Sequence, residues 1–119
     1  MPKQHYDANP AAPAAVLERI GANRSWMGHH ELRLGLARHA HTPLAVARNL
    51  LAHLYWKDWC EIAAHPAANP VIRRQAERLL LARIGELAAG ERINLARRAT
   101  RGLIPSILTD PDPRVIQAL

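Results

Sequence analysis

The sequence contains no phenylalanine, and aromatic residues account for only 4% of its 119 residues. Its single cysteine, Cys60, excludes an internal disulfide and any metal site that needs several thiolates. No apolar run approaches the roughly 20 residues of a membrane-spanning helix. Residues 1–15 also lack the apolar segment of a secretory signal peptide. We therefore expect a soluble, cytoplasmic protein.

Hydrophobic residues make up 49% of the chain, which is enough for one compact core. Because phenylalanine is absent, that core must consist mainly of Leu, Ile, Val and Ala, and Leu and Ala favour helices. The formal net charge is +6, and almost all basic residues are arginine. This balance is compatible with a nucleic acid, an anionic lipid or an acidic protein as partner. An arginine-rich genome would produce the same balance without any ligand.

The longest predicted helix spans residues 69–88. Asn69 can cap its first turn, Pro70 suits the first helical position, and no glycine follows until Gly85. Five apolar residues share one face at helical spacing: Ile72, Ala76, Leu79, Leu80 and Leu87. Two more lie outside this face, which predicts neighbours on more than one side: Val71 and Leu81.

The N-terminal region divides into two predicted parts. Residues 1–12 form a flexible arm with little to bury, and residues 13–119 form a single α-helical repeat domain. The first helix of that domain is predicted over residues 13–22.

Residues 25–39 allow two interpretations, and Ser25 could cap a helix that starts there. Leucines at every second position, from Leu32 to Leu36, are typical of a strand, whereas Leu32, Leu36 and Ala37 also share one helical face. We predict a helix, because the sequence offers no second strand to pair with this one.

Further helix starts are predicted at Thr42-Pro43 and Asp112-Pro113, which repeat the combination of a capping residue and a proline. The helix after Thr42 should bury four residues: Ala47, Leu50, Leu51 and Leu54. A helix that ends before Pro66 should place four residues on one side: Trp56, Trp59, Cys60 and Ala63. Two shorter apolar elements are predicted over residues 90–96 and 103–108.

The last predicted helix reaches Leu119 after only about two turns. We expect it to leave three apolar residues exposed: Val115, Ile116 and Leu119. Exposed apolar ends of helical repeats need to be covered. The sequence therefore predicts a homo-oligomer formed through this helix, or a further segment that covers it.

One arrangement occurs three times, in residues 36–48, 62–74 and 108–118. In each, a helix ends at His or Asp, a short link follows, and Thr, Asn or Asp stands directly before Pro at the next helix start. Successive units of this kind predict antiparallel helices stacked side by side.

The segments HTPLAVARNLL and DPDPRVIQAL resemble the leucine-rich-repeat variant and related HEAT-like repeats of bacterial proteins. The resemblance covers about residues 36–119. It implies an all-α fold, a short right-handed α-solenoid of the HEAT-like, armadillo type, that serves as a scaffold or partner-binding surface. The spacing of the units is irregular, however, and the iron–sulfur cysteine cluster of some variant-repeat proteins is absent.

Histidines do not predict a metal site, and we expect no cofactor. The segment HHELRL lacks the second histidine of a zinc-protease helix. His39 and His65 occupy equivalent positions at predicted helix ends. There a partly charged imidazole would stabilise the helix C-terminus.

Tyr55, Trp56 and Trp59 form a candidate aromatic pocket. With Asp58 as carboxylate, the group faintly resembles the pockets of HEAT-like DNA glycosylases, which stack an altered base and stabilise developing positive charge. The alternative is core packing in a domain that is otherwise poor in aromatic residues. Cys60, beside them, is interpreted as a small core residue.

Arginines are the strongest functional signal. Two predicted helices carry six that could form one basic surface for a partner or for phosphates: Arg73, Arg74, Arg78, Arg97, Arg98 and Arg101. The alternative is a solvated face paired with Glu77, Glu86 and Glu91. Arg83 falls within the apolar stripe and is predicted to be buried in a structural role, with a carboxylate or several carbonyls as its partners.

The sequence therefore supports three functional hypotheses. The first is a non-catalytic binding or scaffold module that holds a protein partner on a helical-repeat surface. The second is a nucleic-acid-binding module that places the arginines on phosphates. The third is an enzyme of the DNA glycosylase type.

Overall fold

A computed structural model describes residues 29–119 of the chain, and this part is entirely helical, without a β-strand. Two short 3₁₀ turns accompany the α-helices, at Ile84–Glu86 and Arg101–Leu103. The α-helices are α1 His30–Arg38, α2 Leu44–Leu51, α3 Trp56–Ala64, α4 Pro70–Arg83, α5 Ala89–Arg97, α6 Ile104–Leu108 and α7 Pro113–Gln117. The all-α prediction is confirmed. The predicted arm over residues 1–12 and the helix over residues 13–22 lie outside the described residues.

Helix α1 resolves the ambiguity between strand and helix in favour of the helix. Leu32, Leu36 and Ala37 are all buried, as the helical spacing requires, while Leu34 is only partly buried. In a strand, Leu32, Leu34 and Leu36 would all have faced the same side. Such a strand would also have needed a partner strand for its backbone hydrogen bonds.

The first four helices repeat at a constant offset of 26 residues. The N-cap of α1 at His29 corresponds to that of α3 at Tyr55, and the C-cap His39 corresponds to His65. The N-caps of α2 and α4 show the same offset, at Pro43 and Asn69. Backbone angles at each corresponding pair of caps fall in the same region of φ/ψ space. Residues 29–51 and 55–77 are therefore two copies of one helix–link–helix unit.

The link inside each unit is closed by a histidine side chain. His39 Nδ1 accepts a hydrogen bond from the backbone N–H of His41, and His65 Nδ1 accepts one from the N–H of Ala67. Both histidines are the C-cap residues of their helices, as the sequence predicted. A ring nitrogen that accepts is not protonated, so this contact uses the neutral imidazole and differs from the charged cap that we expected.

Asp110 repeats this contact further along the chain. Its Oδ1 accepts from the backbone N–H of Asp112, two residues ahead, in the same way as the histidine nitrogens. Asp112 is itself the N-cap of α7 and accepts from the N–H of Arg114, with Pro113 in the first helical position. The predicted start of the last helix is therefore confirmed.

Thr42 does not cap α2, although the sequence predicted that it would. The N-cap is Pro43, whose carbonyl accepts from the N–H of Ala47, and Thr42 lies one residue earlier. Aligning the two units by their histidines places Thr42 opposite Ala68, and both residues are buried. Pro43 and Pro70 are 27 residues apart, so an alignment by these prolines differs by one residue from the alignment by the histidines. The hydroxyl of Thr42 is buried without a hydrogen-bond partner in the described structure.

Replacing Thr42 by valine should therefore stabilise the protein by about 1 kcal/mol, because a methyl group takes the place of an unsatisfied hydroxyl. Asn69 is the matched contrast, since its Oδ1 does accept from the N–H of Val71 at 2.8 Å. Asn69→Ala should cost about 1 kcal/mol. Urea denaturation of both variants measures the difference, and destabilisation by Thr42→Val would show that the hydroxyl has a partner.

Helix α4 is shorter than predicted, because it ends at Arg83 and gives way to the 3₁₀ turn. Ile72, Ala76 and Leu80 are fully buried, while Leu79 is only partly buried. Leu87 lies beyond the helix, and Leu81 is 39% exposed. The expectation of neighbours on several sides is nevertheless confirmed, because α4 contacts α2, α3 and the Arg101–Leu103 turn.

The C-terminal part of the described structure packs more completely than predicted. Helix α7 contacts α5 and α6, and Val115 is fully buried as a result. Ile116 is partly buried, and Leu119 is 48% exposed. The prediction that Val115 would be exposed is therefore wrong. It assumed that no preceding element returned to cover α7, and burial of Val115 removes part of the apolar surface on which the expected homo-oligomer depended.

One hydrophobic core runs through all seven helices. The predicted residues of α2 and α3 belong to it, with Trp56 only partly buried at its edge. A buried aliphatic residue followed by alanine occurs in α1, α3 and α5, as Leu36 with Ala37, Ile62 with Ala63, and Leu95 with Ala96. Small residues beside large ones let neighbouring helices approach closely, as dense packing requires.

Candidate functional site

The six candidate arginines lie on α4, at the end of α5 and in the turn that follows. Five of them are exposed: Arg74, Arg78, Arg97, Arg98 and Arg101. Arg73 is partly buried, and its Nε is buried without a hydrogen-bond partner in the described structure.

None of these six arginines forms an ion pair within residues 29–119. The four ion pairs of this part of the chain involve other cations: His30, Arg38, Arg92 and Arg114. Glu77 instead accepts a hydrogen bond from the hydroxyl of Thr100. Glu91 accepts from the indole N–H of Trp56 and from the backbone N–H of Ala88. The ion pairs with Glu77, Glu86 and Glu91 that the alternative assumed are therefore absent within residues 29–119, whereas the exposure of five arginines agrees with a solvated face.

Glu77 connects the two segments that carry the arginines. Its carboxylate lies between Thr100 and Gly102, where a Cβ on Gly102 would come within 1.8 Å of the Glu77 Oε1 atom. A side chain at residue 102 would require this carboxylate to move, and the Arg101–Leu103 turn packs directly on α4. The turn that carries Arg101 therefore lies against the helix that carries the other group of arginines.

The three candidate aromatic residues also come together. Tyr55, Trp56 and Trp59 line one pocket of about 210 Å³, which is completed by Leu54, Arg83, Glu86 and Leu87. Trp59 is 3% exposed, and its indole N–H donates to the backbone carbonyl of Leu51 at 3.0 Å. Tyr55 is 65% exposed. The pocket thus combines a fixed inner wall with an open rim.

Arg83 lies in this pocket and not in the core. Its side chain is exposed, and the guanidinium carbon is 5.6 Å from the centre of the Trp59 ring. The prediction that Arg83 would be buried is wrong, because α4 ends at this residue and the helical stripe does not continue through it. A cation over an indole face is held by electrostatic attraction to the ring.

Asp58 does not line the aromatic pocket, as the glycosylase hypothesis would require. It is 8% exposed, and its Oδ2 accepts from the backbone N–H of Tyr55 at the start of α3. Its Oδ1 lies 3.1 Å from Nε2 of His30, whose ring stacks on that of Tyr55. One oxygen therefore caps α3 and the other joins α3 to α1, and the carboxylate that lines the pocket belongs to Glu86.

Two side-chain pairs at the centre of the fold were missed by the sequence analysis. One is His30 with Asp58, and the other is Arg92 with Asp110, whose Nε and Oδ2 atoms are 2.8 Å apart. Asp58 stood three residues after the N-cap of α3, the position where a carboxylate accepts from the N-cap N–H. That spacing could have revealed its capping role, but nothing local indicated its partner in α1.

Cys60 is 2% exposed, in the interior between the helices. Burial raises the pKa of the Cys60 thiol from 9.0 to about 11, and the positive charge of Arg98 offsets this effect only in part. The thiol is therefore neutral at physiological pH, and its surroundings favour packing over nucleophilic chemistry.

A second pocket, of about 230 Å³, lies beside the Arg92–Asp110 pair. Ile84, Gly85, Ser106 and Thr109 contribute to its walls. Arg92 is fully engaged there, since it also donates from Nη1 to the carbonyl of Leu87 at 2.7 Å. The two charged residues that line this pocket are therefore already paired with each other.

No family model matches the sequence, and no curated protein or solved structure matches it. Within residues 29–119, no group of three or more His, Cys, Asp or Glu side chains could hold a metal ion. The helices of this range are also too short or too polar to cross a membrane.

Proposed function

We propose that this chain is a non-catalytic binding module that holds a protein partner on the surface of a short, right-handed α-solenoid. The repetition of the helix–link–helix unit at 26 residues supports a solenoid. So do the contacts between corresponding helices, of α1 with α3 and of α2 with α4, in addition to the contacts inside each unit. Antiparallel stacking of HEAT-like pairs is the arrangement that these contacts favour.

The observation that carries the proposed function is the absence of ion pairs around the six arginines within the described structure. Like charges four residues apart, such as Arg74 and Arg78, repel each other mildly unless an anion neutralises them. Two of the three neighbouring carboxylates accept hydrogen bonds from other residues, Glu77 from Thr100 and Glu91 from Trp56, and the third, Glu86, is exposed. The surface is therefore complementary to an acidic face of a partner, such as an amphipathic helix with carboxylates along one side.

Retention of a partner from nuclease-treated lysate by the immobilised chain tests this proposal. Arg74→Gln combined with Arg78→Gln should reduce retention about tenfold, because two charge contacts are lost. The matched control is Arg48→Gln with Lys57→Gln, which removes the same charge from exposed residues outside the arginine surface. Equal losses for both variants would show that only net charge matters and would contradict a specific arginine surface.

A nucleic acid is the second candidate, because exposed and unpaired arginines suit phosphates equally well. In that case log affinity for a labelled DNA or RNA should fall steeply as log salt rises. Nuclease treatment should also abolish retention of any captured protein. Failure to bind heparin at about 0.1 M salt would reject this second candidate and leave the protein partner.

A further inference from the structure

The aromatic pocket is preorganised on its inner side. Trp59 is held by its buried ring and by the hydrogen bond to Leu51, and Trp56 is held by the hydrogen bond from its indole N–H to Glu91 at 3.2 Å. Neither indole has to lose conformational freedom when something enters the pocket. Rigid aromatic walls of this kind reduce the entropic cost of binding.

The size of the pocket limits what it can accept. Its volume of about 210 Å³ is below the roughly 300 Å³ at which pockets for drug-sized ligands begin. A single large side chain fits such a volume. The aromatic walls favour another ring, which can stack on an indole or meet it edge to face.

Charges at the pocket indicate what stands next to that ring. Arg83 lines the pocket and forms no ion pair within residues 29–119, and its guanidinium is placed by Trp59. Lys57 lies 5.8 Å from the centre of the Trp56 ring but does not line the pocket. Of the two nearby carboxylates, Glu91 already accepts two hydrogen bonds, and Glu86 is exposed. The two charged residues that line the pocket are therefore Arg83 and Glu86, and of these Arg83 is the one that lies against an aromatic wall.

We propose that the pocket binds one aromatic side chain of the protein partner, with a carboxylate beside it that pairs with Arg83. This inference rests on the proposed function, because it names the chemistry of the partner segment. A ring without a neighbouring carboxylate uses the indole walls alone. A segment with both groups also satisfies the Arg83 guanidinium, which is already positioned.

Two small probes separate the contributions of the ring and of the charge. N-acetyl-L-phenylalanine carries both the ring and a carboxylate, and N-acetyl-L-phenylalaninamide carries the ring alone. In ¹H–¹⁵N spectra, the acid should shift the indole N–H signals of Trp56 and Trp59 with a millimolar Kd, and the amide should bind about fivefold more weakly.

Substitution of Arg83 then tests the assignment of the charge contact. Arg83→Gln should make acid and amide bind equally, at the affinity of the amide, and its own spectrum shows whether the fold is intact. Arg48→Gln, at an exposed arginine that belongs neither to the arginine surface nor to the pocket, should leave the preference for the acid unchanged.

Three outcomes would overturn the inference: no indole shift at roughly 20 mM acid, equal binding of both probes to the unaltered chain, or loss of the preference in the Arg48 variant. Each of these outcomes is independent of partner retention by the arginine surface. If the probes fail to bind but the partner is still retained through the arginine surface, only this inference is rejected. If the probes bind as expected but retention does not depend on the arginines, the arginine surface is rejected and the pocket stands.

Discussion

Replacing Asp110 by alanine is expected to destabilise the protein by about 3 to 5 kcal/mol, the largest effect of any single change considered. The side chains of Arg92 and Asp110 are only 16% and 5% exposed, so water screens their attraction poorly. Without Asp110, the Arg92 guanidinium would remain largely buried with a carbonyl of Leu87 as its remaining partner. The link before α7 would also lose the acceptor for the Asp112 N–H.

Urea denaturation followed by circular dichroism measures this loss. The matched control is Glu61→Gln, which breaks the pair of Glu61 with Arg38, where both side chains are more than one third exposed. That change should cost less than about 1 kcal/mol, because solvent screens an exposed pair. Equal effects of the two substitutions would contradict the importance of burial.

A double variant separates the charge from the packing. Arg92→Met removes the buried cation while keeping an apolar side chain of similar length, so its combination with Asp110→Ala leaves no unpaired charge. We expect the double variant to be more stable than Asp110→Ala alone, because an isolated buried charge costs more than the pair contributes. If it were less stable, Arg92 would be stabilising the fold through contacts other than Asp110.

This ion pair also explains why the end of the chain packs differently from the prediction. It fixes residue 110 against α5, and α7 begins three residues later, so α7 is placed on α5 and α6 and Val115 is buried. Helical periodicity identifies which residues of α7 share a face. It does not show which earlier helix covers that face, because an ion pair between residues 18 apart leaves no local pattern.

The local structure was largely predictable from the sequence. Helix ends at His39 and His65, the cap at Asn69 and the buried residues of α2 follow from rules that act within a few residues. The errors occurred where two local rules compete. At Thr42, the residue before proline was predicted to be the cap. In the structure, four residues separate His39 from the first residue of α2, and the last of these four, Pro43, is the N-cap.

The candidate site was predictable in its membership and not in its geometry. Tyr55, Trp56 and Trp59 meet because all three lie within one turn at the start of α3. Asp58 belongs to the same turn but points to His30, and Arg83 joins the pocket from the far end of α4. Which charged side chain faces the pocket depends on how α3, α4 and the 3₁₀ turn pack, and a single sequence does not encode that in any local spacing.

Stability above pH 9 should depend on Cys60. Burial raises the pKa of the folded-state thiol from 9.0 to about 11, so the fold favours the neutral thiol. Below pH 9 the thiol is protonated in both the folded and the unfolded chain, and its stabilising contribution is fully present. As pH rises from 9 towards 11, the unfolded chain loses this proton first. The contribution is therefore lost progressively, about 2 to 3 kcal/mol in all.

Cys60→Ala isolates this effect from the titration of lysine and tyrosine, which occurs in both proteins. Under reducing conditions, the free energy of unfolding should be measured at pH 8 and at roughly pH 10.5 for each protein. The alanine variant is less stable at pH 8, because it leaves a small cavity. Between the two pH values, the free energy of unfolding of the unaltered chain should fall by about 2 kcal/mol more than that of the variant. The difference in stability between the two proteins therefore becomes smaller or changes sign. An unchanged gap would mean that the thiolate is as well solvated in the folded chain as in the unfolded one, which burial at 2% exposure does not allow.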